Sequence, residues 1–340
     1  MKLLSAPLNI CLGITRECNL RCKHCYVSDT RYDKELTTEE FLNVIKQIKQ
    51  IKVFDVDLFG GEPLMRKDFF VLLEALTRFK IGICLNTNGT LITEEIAKKL
   101  SQYHIRSVVV SLDGASGEIQ DPLRGKGSFE KALKGIENLT AAKCRVFTAT
   151  TVTRFNYRDL ENIILLSQKS GVKGVAFNKL IHMGKAASDP ALIMTPSERR
   201  ELLAAVTDLK SKYPEFVSGS LLDVCQRMKN LHRTPRENFP LKVNTCLGGT
   251  AKCAIRPDGW VTPCEILWDV KAGHLREQSL RDIWHHSPVL QEFRKPLSVR
   301  EDEIPDCKGC EHLTGCYRSS RCLPHFYPGK FQRKEFYCWK

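Results

Sequence analysis

Three kinds of segment are missing from this sequence: a long apolar run, an export signal and a block of charge of one sign. A helix that spans a bilayer needs about 20 consecutive apolar residues, so the sequence excludes a helical membrane protein. Residues 1–7 have a faint signal-peptide character, but Asn9, Arg16 and Glu17 soon interrupt it. We therefore predict a cytoplasmic protein with no membrane partner, whose 15 cysteines are free thiols or metal ligands rather than disulfides.

The formal net charge of +13 does not by itself indicate nucleic-acid binding. Basic residues are spread along the chain and alternate with acidic ones, as in Glu94-Glu95 followed by Lys98-Lys99. A nucleic-acid-binding protein would instead concentrate them in a patch or stripe. A solvated basic face is the simplest interpretation, and the docking of an acidic electron donor or an acidic substrate is the functional alternative.

Three cysteines lie close together near the start of the chain. Cys18, Cys22 and Cys25 have the spacing C-x3-C-x2-C, and the aromatic Tyr26 follows them. Thiolates hold iron–sulfur clusters, and a four-iron cluster that only carries electrons has four cysteine ligands. Three local ligands would leave one iron open to a substrate or cofactor. A zinc site or three buried thiols are the alternatives.

This run resembles the signature of radical S-adenosylmethionine (SAM) enzymes. In that family the open iron of a 4Fe–4S cluster chelates the amino and carboxylate groups of SAM, and the reduced cluster cleaves SAM to a 5′-deoxyadenosyl radical. The resemblance implies SAM and this cluster as cofactors, and a ferredoxin- or flavodoxin-like protein as the electron donor. It also implies a role for Tyr26 beside the cofactor.

The first two hundred residues alternate between strand and helix patterns. Strands are predicted at 8–15, 53–59, 81–87, 106–112, 145–152 and 172–181. Helices are predicted at 68–80, 93–102, 128–142 and 157–170, and two more begin at capping boxes that start with Thr37 and Thr195. Such alternation predicts an α/β fold with a parallel sheet and outer helices. Six units make an incomplete barrel, and the radical SAM family is built on a partial (β/α)6 barrel.

Candidate cofactor ligands follow the predicted strands, where the active site of such a barrel lies. They are Gly60, Gly61, Glu62 and Pro63 after the second strand, Asn88 after the third, and Ser111 and Arg124 after the fourth. The resemblance implies that the Gly-Gly-Glu-Pro run binds the SAM amino group and that Ser111 and Arg124 contact its carboxylate. A plain turn is the alternative for the two glycines. We expect Asp113 to be structural and His24 to be exposed, and the family pattern leaves any role of Gln120 in doubt.

A second group of cysteines follows a connector that is rich in proline and arginine. The predicted division is a barrel at 1–211, a connector at 212–245 and a cysteine-rich domain at 246–340. The eight cysteines of this domain are Cys246, Cys253, Cys264, Cys307, Cys310, Cys316, Cys322 and Cys338. Eight thiolates are enough for two four-iron clusters, and two structural zinc sites are the alternative.

With Gly273-His274-Leu275 and the run 280–284, this group resembles the SPASM domain of radical SAM enzymes. The family's pattern implies two auxiliary 4Fe–4S clusters. It implies that Cys246, Cys253, Cys264 and Cys322 hold one, and that Cys307, Cys310, Cys316 and Cys338 hold the other. One departure is the five-residue spacing between Cys316 and Cys322, where relatives commonly have three residues.

The resemblance predicts an oxidative enzyme that modifies a ribosomal peptide or protein side chain. The alternatives are the same chemistry on a small molecule such as a tetrapyrrole and, remotely, a zinc-containing nucleic-acid-binding protein. Because the barrel pattern starts within the first ten residues, we expect peptide recognition to come from a separate protein. Glu265 follows Cys264, and the resemblance implies that it is the base; a salt bridge with a surface lysine is the alternative. Cys11, Cys84, Cys144 and Cys225 match no ligand pattern and are expected to be small core residues.

Overall fold

The computed structural model describes residues 4–27, 33–222 and 247–295 of the 340-residue chain. In these stretches ten strands form one sheet, and helices pack against it. The strands are β1 (Asn9–Gly13), β2 (Asp55–Phe59), β3 (Gly82–Thr87), β4 (Ile105–Ser111), β5 (Val146–Val152), β6 (Val175–Lys179), β7 (Val217–Ser218), β8 (Lys252–Ile255), β9 (Trp260–Thr262) and β10 (Gly273–His274). The helices are α1 (Thr38–Gln50), α2 (Phe69–Arg78), α3 (Glu94–Leu100), α4 (Gly117–Arg124), α5 (Ser128–Ala141), α6 (Leu160–Lys169), α7 (Lys185–Ser188), α8 (Pro196–Lys212), α9 (Leu280–His286) and α10 (Pro288–Arg294).

Strands β1 to β6 are neighbours in the order in which they occur along the chain, and each adjacent pair is parallel. At least one helix connects each strand to the next. The six predicted strand–helix units are therefore confirmed, with strand ends within about three residues of those predicted from pattern alone. No helix of the described residues is long and apolar enough to cross a bilayer.

Helix α1 begins where its capping box predicts. The Thr37 hydroxyl accepts the Glu40 N–H at 3.2 Å, and the Glu40 carboxylate accepts the Thr37 N–H at 2.8 Å. Arg276, from the stretch after β10, also donates to Glu40, with Nε 2.6 Å from Oε1. This hydrogen bond is the main cause that lowers the pKa of Glu40 to about 2. The capping residue thus also holds the last described stretch of the chain against α1.

Strand β8 continues the sheet on the free side of β1. It runs parallel to β1, with Asn9 opposite Lys252 and Ile10 opposite Cys253. Ile10 and Cys253 are both fully buried in the apolar core between the sheet and its helices. The stretch 247–295, although predicted to belong to a separate domain, therefore shares a sheet and a core with the barrel. At the other edge, β7 pairs with β6 and lies inside the segment 212–245 predicted as a connector.

The sequence pattern does not predict α4, which lies between β4 and α5. It contains Gly117 and Pro122, two residues that disfavour a helix interior. The Asp121 carboxylate accepts hydrogen bonds from the backbone N–H groups of Gly127 and Phe129, so the following turn holds the helix in place. This helix ends at Arg124 and carries its buried side chain to the carboxyl ends of the strands.

Candidate functional site

The loop that carries Cys18, Cys22 and Cys25 follows β1 and runs beside the turn after β2. The Gly61 N–H donates to the Thr15 carbonyl at 2.7 Å, and the Glu62 N–H donates to the Glu17 carbonyl at 2.7 Å. A Cβ atom at Gly60 would lie 2.3 Å from the Thr15 oxygen. Glycine is therefore required at this point because the two backbones touch. Pro63 then begins a single turn of 3-10 helix.

The Glu62 side chain is fully buried between this turn and the end of β3. Its Oε1 accepts the Thr87 hydroxyl at 2.8 Å, and its Oε2 accepts the Asn88 N–H at 2.7 Å. Burial raises the pKa of Glu62 to about 6, although these hydrogen bonds favour the ionised form. The turn thus places a buried carboxylate beside the cysteine loop.

Asn88 connects the end of β3 to the first cysteine. Its Nδ2 lies 3.9 Å from the Cys18 sulfur and donates to the Asn19 side chain at 2.9 Å. Its Oδ1 accepts the Thr90 N–H at 2.9 Å. Because the side-chain nitrogen and oxygen of Asn88 both form hydrogen bonds, this residue holds the start of the cysteine loop in place. Ser111, the last residue of β4, is half-buried at the same edge of the sheet.

The buried carboxylate of Asp113 lies between Arg124 and the cysteine loop. Arg124 Nε lies 2.6 Å from Asp113 Oδ2, and His24 Nε2 lies 3.1 Å from the same oxygen. Arg124 also directs Nη1 at the Cys22 sulfur, 3.9 Å away. The prediction that His24 is exposed is wrong, because its ring is buried against Asp113. Gln120, left in doubt by the sequence, accepts the Asp113 N–H at 3.0 Å.

The three thiols share one electrostatic environment. Burial raises the pKa of Cys18, Cys22 and Cys25, and each is raised further by the charge of another of the three. The positive charge of Arg124 lowers the pKa of Cys22 and Cys25, and that of Lys185 lowers the pKa of Cys25. Three neighbouring thiols with adjacent cations suit an anionic iron–sulfur cluster with one open iron, so the residues present fit this group.

The loop after β6 closes over the end of the cysteine loop. The Lys185 N–H donates to the Cys25 carbonyl at 3.1 Å. At Gly184, where φ is +55°, a Cβ atom would lie 2.6 Å from the Cys25 oxygen. Glycine therefore permits both the backbone conformation and the close approach. Sequence reasoning missed Gly184 and Lys185 because no recognisable motif surrounds them.

A second set of polar side chains lies on the sheet face that points away from the helices. Cys11 Sγ is 3.6 Å from both the Asp57 and the Glu265 carboxylates, and Glu265 Oε1 is 2.9 Å from Lys252 Nζ. Cys11 is buried as expected, but among polar side chains, and burial, reinforced by Glu265, raises the pKa of its thiol. Although burial lowers the pKa of Lys252, the charge of Glu265 outweighs it and raises the pKa overall. The lysine partner expected for Glu265 exists, but it is partly buried rather than on the surface.

Tyr26 lies near members of both cysteine groups. Burial raises its pKa well above the ordinary value, and the charges of Glu265, Cys11, Cys25 and Cys264 act in the same direction. Cys25 belongs to the first loop and Cys264 follows β9. Together with the 3.6 Å contact between Cys11 and Glu265, this places the residues at Cys264 and Glu265 beside the start of the chain.

Gly249 connects the backbone before two cysteines of the second group, Cys253 and Cys264. The Gly249 N–H donates to the carbonyls of Lys252 and Pro263, the residues before Cys253 and Cys264. Both cysteines are buried, and burial raises the pKa of Cys253 to about 12. Cys246 comes three residues before Gly249 in the sequence, and thiolates are the ligands of iron–sulfur clusters. Six of the predicted ligands lie outside the described residues: Cys246, Cys307, Cys310, Cys316, Cys322 and Cys338.

Comparison with protein-family models gives two matches. The model described as the radical SAM superfamily matches residues 12–166, and SPASM, described as an iron–sulfur cluster-binding domain, matches residues 246–311. Mycofactocin maturase MftC of Mycolicibacterium smegmatis is 32% identical over 338 residues, covering 96% of this chain and 81% of that protein. The AdoMet-dependent heme synthase of Methanosarcina barkeri is 30% identical over 346 residues, covering 98% of this chain and 97% of that protein. AdoMet is SAM.

Solved structures show the same fold. Streptococcus suis SuiB bound to its precursor peptide SuiA has a TM-score of 0.74 at 18% identity, over 93% of this chain and 72% of that chain. The protein anSMEcpe with bound AdoMet and the Kp18Cys peptide has a TM-score of 0.73 at 21% identity, over 98% of this chain and 94% of that chain. The predicted partial barrel followed by a cysteine-rich region is therefore confirmed.

Proposed function

Because the chain belongs to the radical SAM superfamily and carries a SPASM domain, it is an enzyme that uses SAM, and we propose that it oxidatively modifies a ribosomal peptide or protein side chain. Its cofactors are SAM, a 4Fe–4S cluster and the auxiliary iron–sulfur clusters of the SPASM domain. When bound and reduced, the first cluster supplies the 5′-deoxyadenosyl radical that takes a hydrogen atom from substrate carbon. Nothing in these similarities favours a zinc-containing nucleic-acid-binding protein.

The contact of Glu265 with the strand that leads into the first cysteine loop carries this proposal. Glu265 follows Cys264 directly, and its carboxylate lies 3.6 Å from the Cys11 sulfur on β1, which ends five residues before Cys18. Removal of a hydrogen atom and then an electron from a substrate leaves a cation that must lose a proton. An electron acceptor and a proton acceptor are therefore both needed close to the site of radical formation. This arrangement offers both within one region.

Each residue group has a proposed part. Cys18, Cys22 and Cys25 hold the first cluster, and the turn of Gly60, Gly61, Glu62 and Pro63 binds the SAM amino group. Ser111 and Arg124 bind its carboxylate, while Asn88 and Tyr26 border the cofactor. Glu265 accepts the proton, with Lys252 holding its carboxylate in place at 2.9 Å. The remaining cysteines of the second group hold the auxiliary clusters.

Peptide chemistry is favoured by a named relative and by a structural neighbour. A maturase is 32% identical over nearly the whole chain, and SuiB, which shares the fold, binds a precursor peptide. A separate protein would present the peptide, and a ferredoxin- or flavodoxin-like protein would supply the electron. The net charge of +13 suits an acidic donor of this kind.

Tetrapyrrole chemistry is the second candidate. The heme synthase relative matches along 97% of its own length, against 81% for the maturase. A tetrapyrrole with carboxylate side chains is an acidic substrate, which the basic charge of the chain also suits.

One experiment separates the two candidates. The reduced enzyme is incubated without oxygen with SAM and either a short peptide encoded beside its gene or iron coproporphyrin III. Formation of 5′-deoxyadenosine and the masses of both substrates are measured. Peptide-dependent 5′-deoxyadenosine with a peptide mass change supports the proposal. The same response to the tetrapyrrole alone contradicts it in favour of the second candidate.

A further inference from the structure

Arg294, the last residue of α10, has two buried nitrogens that the fold does not satisfy. Its Nε donates to the Gly249 carbonyl at 2.8 Å, and its guanidinium carbon lies 4.5 Å from the Trp284 ring centroid. Nη1 and Nη2 are both buried, and neither has a hydrogen-bond partner within 4–27, 33–222 and 247–295. The side chain is therefore held in a fixed direction with its two terminal nitrogens unpaired.

An unpaired buried guanidinium is costly. A charged donor taken out of water must recover its hydrogen bonds from the protein or from a bound anion, since the desolvation penalty otherwise remains uncompensated. Burial lowers the pKa of Arg294, and the charge that opposes this effect is that of Cys253. The buried Cys253 thiol is therefore the titratable group whose charge reaches this guanidinium.

Gly249 fixes this geometry. Its carbonyl accepts Arg294 Nε, while its N–H donates to the carbonyls of Lys252 and Pro263 at 2.8 and 3.1 Å. Those residues precede Cys253 and Cys264, so one glycine connects the arginine to the backbone before both cysteines. Phe293 packs in the same small apolar cluster as Cys264. The end of α10 therefore contacts the surroundings of both thiols.

We propose that Arg294 is a positioning residue for the auxiliary cluster that Cys253 and Cys264 would hold, and that its unpaired terminal nitrogens would donate to the sulfur of that cluster. This inference rests on the proposed assignment of these two cysteines as ligands. A four-iron cluster with four thiolates is anionic and becomes more so on reduction. Hydrogen bonds and positive charge beside its sulfur stabilise the reduced form and raise its reduction potential. Arg294 thereby makes this cluster a better acceptor of the substrate electron.

The test measures reduction potentials rather than turnover. The full chain carries Cys18→Ala, Cys22→Ala and Cys25→Ala, so that only the auxiliary clusters contribute, and is titrated with reductant while its paramagnetic resonance signal is followed. Arg294→Met keeps the contact with Trp284 but removes the charge and the donors, and Arg294→Lys keeps the charge alone. Lys295→Met is the matched control, since it removes an equal charge from the next residue, whose side chain is 67% exposed.

We expect Arg294→Met to lower the potential of one auxiliary cluster, Arg294→Lys to lower it less, and Lys295→Met to leave it unchanged. Unchanged potentials in both Arg294 variants would overturn the role of Arg294 and leave the peptide chemistry intact, because neither peptide nor SAM is present. If Arg294→Met loses iron, the auxiliary-cluster potential of Arg294→Lys is compared with that of the parent instead. A lowered potential in Arg294→Lys supports the proposal, and an unchanged potential contradicts it. A parent without any auxiliary-cluster signal would contradict the ligand assignment itself.

Discussion

Asp113 and Arg124 form a buried ion pair in which Nε lies 2.6 Å from Oδ2. Burial would raise the pKa of Asp113, but the positive charges of Arg124 and His24 outweigh it and hold the pKa well below its usual range. The other carboxylate oxygen accepts the Thr151 N–H at 2.8 Å. One carboxylate therefore joins the cysteine loop, the end of α4 and the end of β5, and it determines where Arg124 can point.

Asp113→Asn should both destabilise the fold and disturb the cofactor site. It leaves the buried Arg124 guanidinium without its counter-charge, and breaking a buried pair costs about 3–5 kcal/mol. We expect the free energy of unfolding to fall by about this amount, and SAM binding to weaken with it. Chemical denaturation and equilibrium binding of SAM would measure the two effects.

Asp55→Asn is the control for this change. It neutralises an aspartate in β2 whose partner Arg106 is mostly exposed, so little stability should be lost. If Asp113→Asn were no more destabilising than Asp55→Asn, the central place given to Asp113 would be wrong.

Glu62 predicts a pH dependence of SAM binding. Because burial raises its pKa to about 6, the carboxyl is ionised above this pH and accepts hydrogen bonds best there. SAM affinity should therefore fall as the pH drops through about 6, approaching tenfold per pH unit below it. Glu62→Ala should weaken SAM binding at neutral pH with all clusters retained. Affinity that is flat between pH 5 and about 7, or unchanged in Glu62→Ala, would refute the role of this side chain.

The raised pKa of Glu62 has the opposite effect on folding stability, which falls as the pH rises. A carboxyl with a raised pKa in the folded state binds its proton more tightly there than in the unfolded chain. Its contribution to stability is therefore fully present below the unfolded pKa of about 4.5 and is lost as the pH rises through about 6. Glu62 thus lowers stability at neutral pH.

Much of the barrel is predictable from local patterns. The six strands and the capping boxes of Thr37 and Thr195 appear in the structure close to where the sequence predicts them, because hydrophobic periodicity and caps are local signals. The cysteine spacing and the Gly60–Pro63 turn are local too. Their proximity follows from parallel strands ending at one edge of the sheet.

Long-range contacts account for what the sequence does not predict. His24 is buried because it contacts Asp113, which lies 89 positions further along the chain. No sequence pattern around His24 predicts that contact. Strand β8 has four residues and joins the sheet only because β1 leaves an edge beside it. Arg294 ends a short helix with an ordinary pattern, and its importance depends on Gly249 and the cysteines that the fold brings near it.

Glu265→Gln tests the proton acceptor. The amide keeps the size of the side chain but cannot take up a proton, so product formation should slow at least about tenfold while SAM binding and all clusters are retained. Single-turnover measurement of product and of 5′-deoxyadenosine would show the loss. Glu161→Gln is the matched control, since Glu161 pairs with Lys212 where both side chains are about half exposed. Product formation at the parent rate in Glu265→Gln would leave the proton acceptor unidentified.

The most direct test of the account is 5′-deoxyadenosine formation by the variant with Cys18→Ala, Cys22→Ala and Cys25→Ala, measured with its iron content. If these three thiols hold the cluster that cleaves SAM, the reduced variant forms no 5′-deoxyadenosine above background and retains about two thirds of the parent's iron, at the auxiliary sites. Substantial SAM cleavage by this variant would contradict the account.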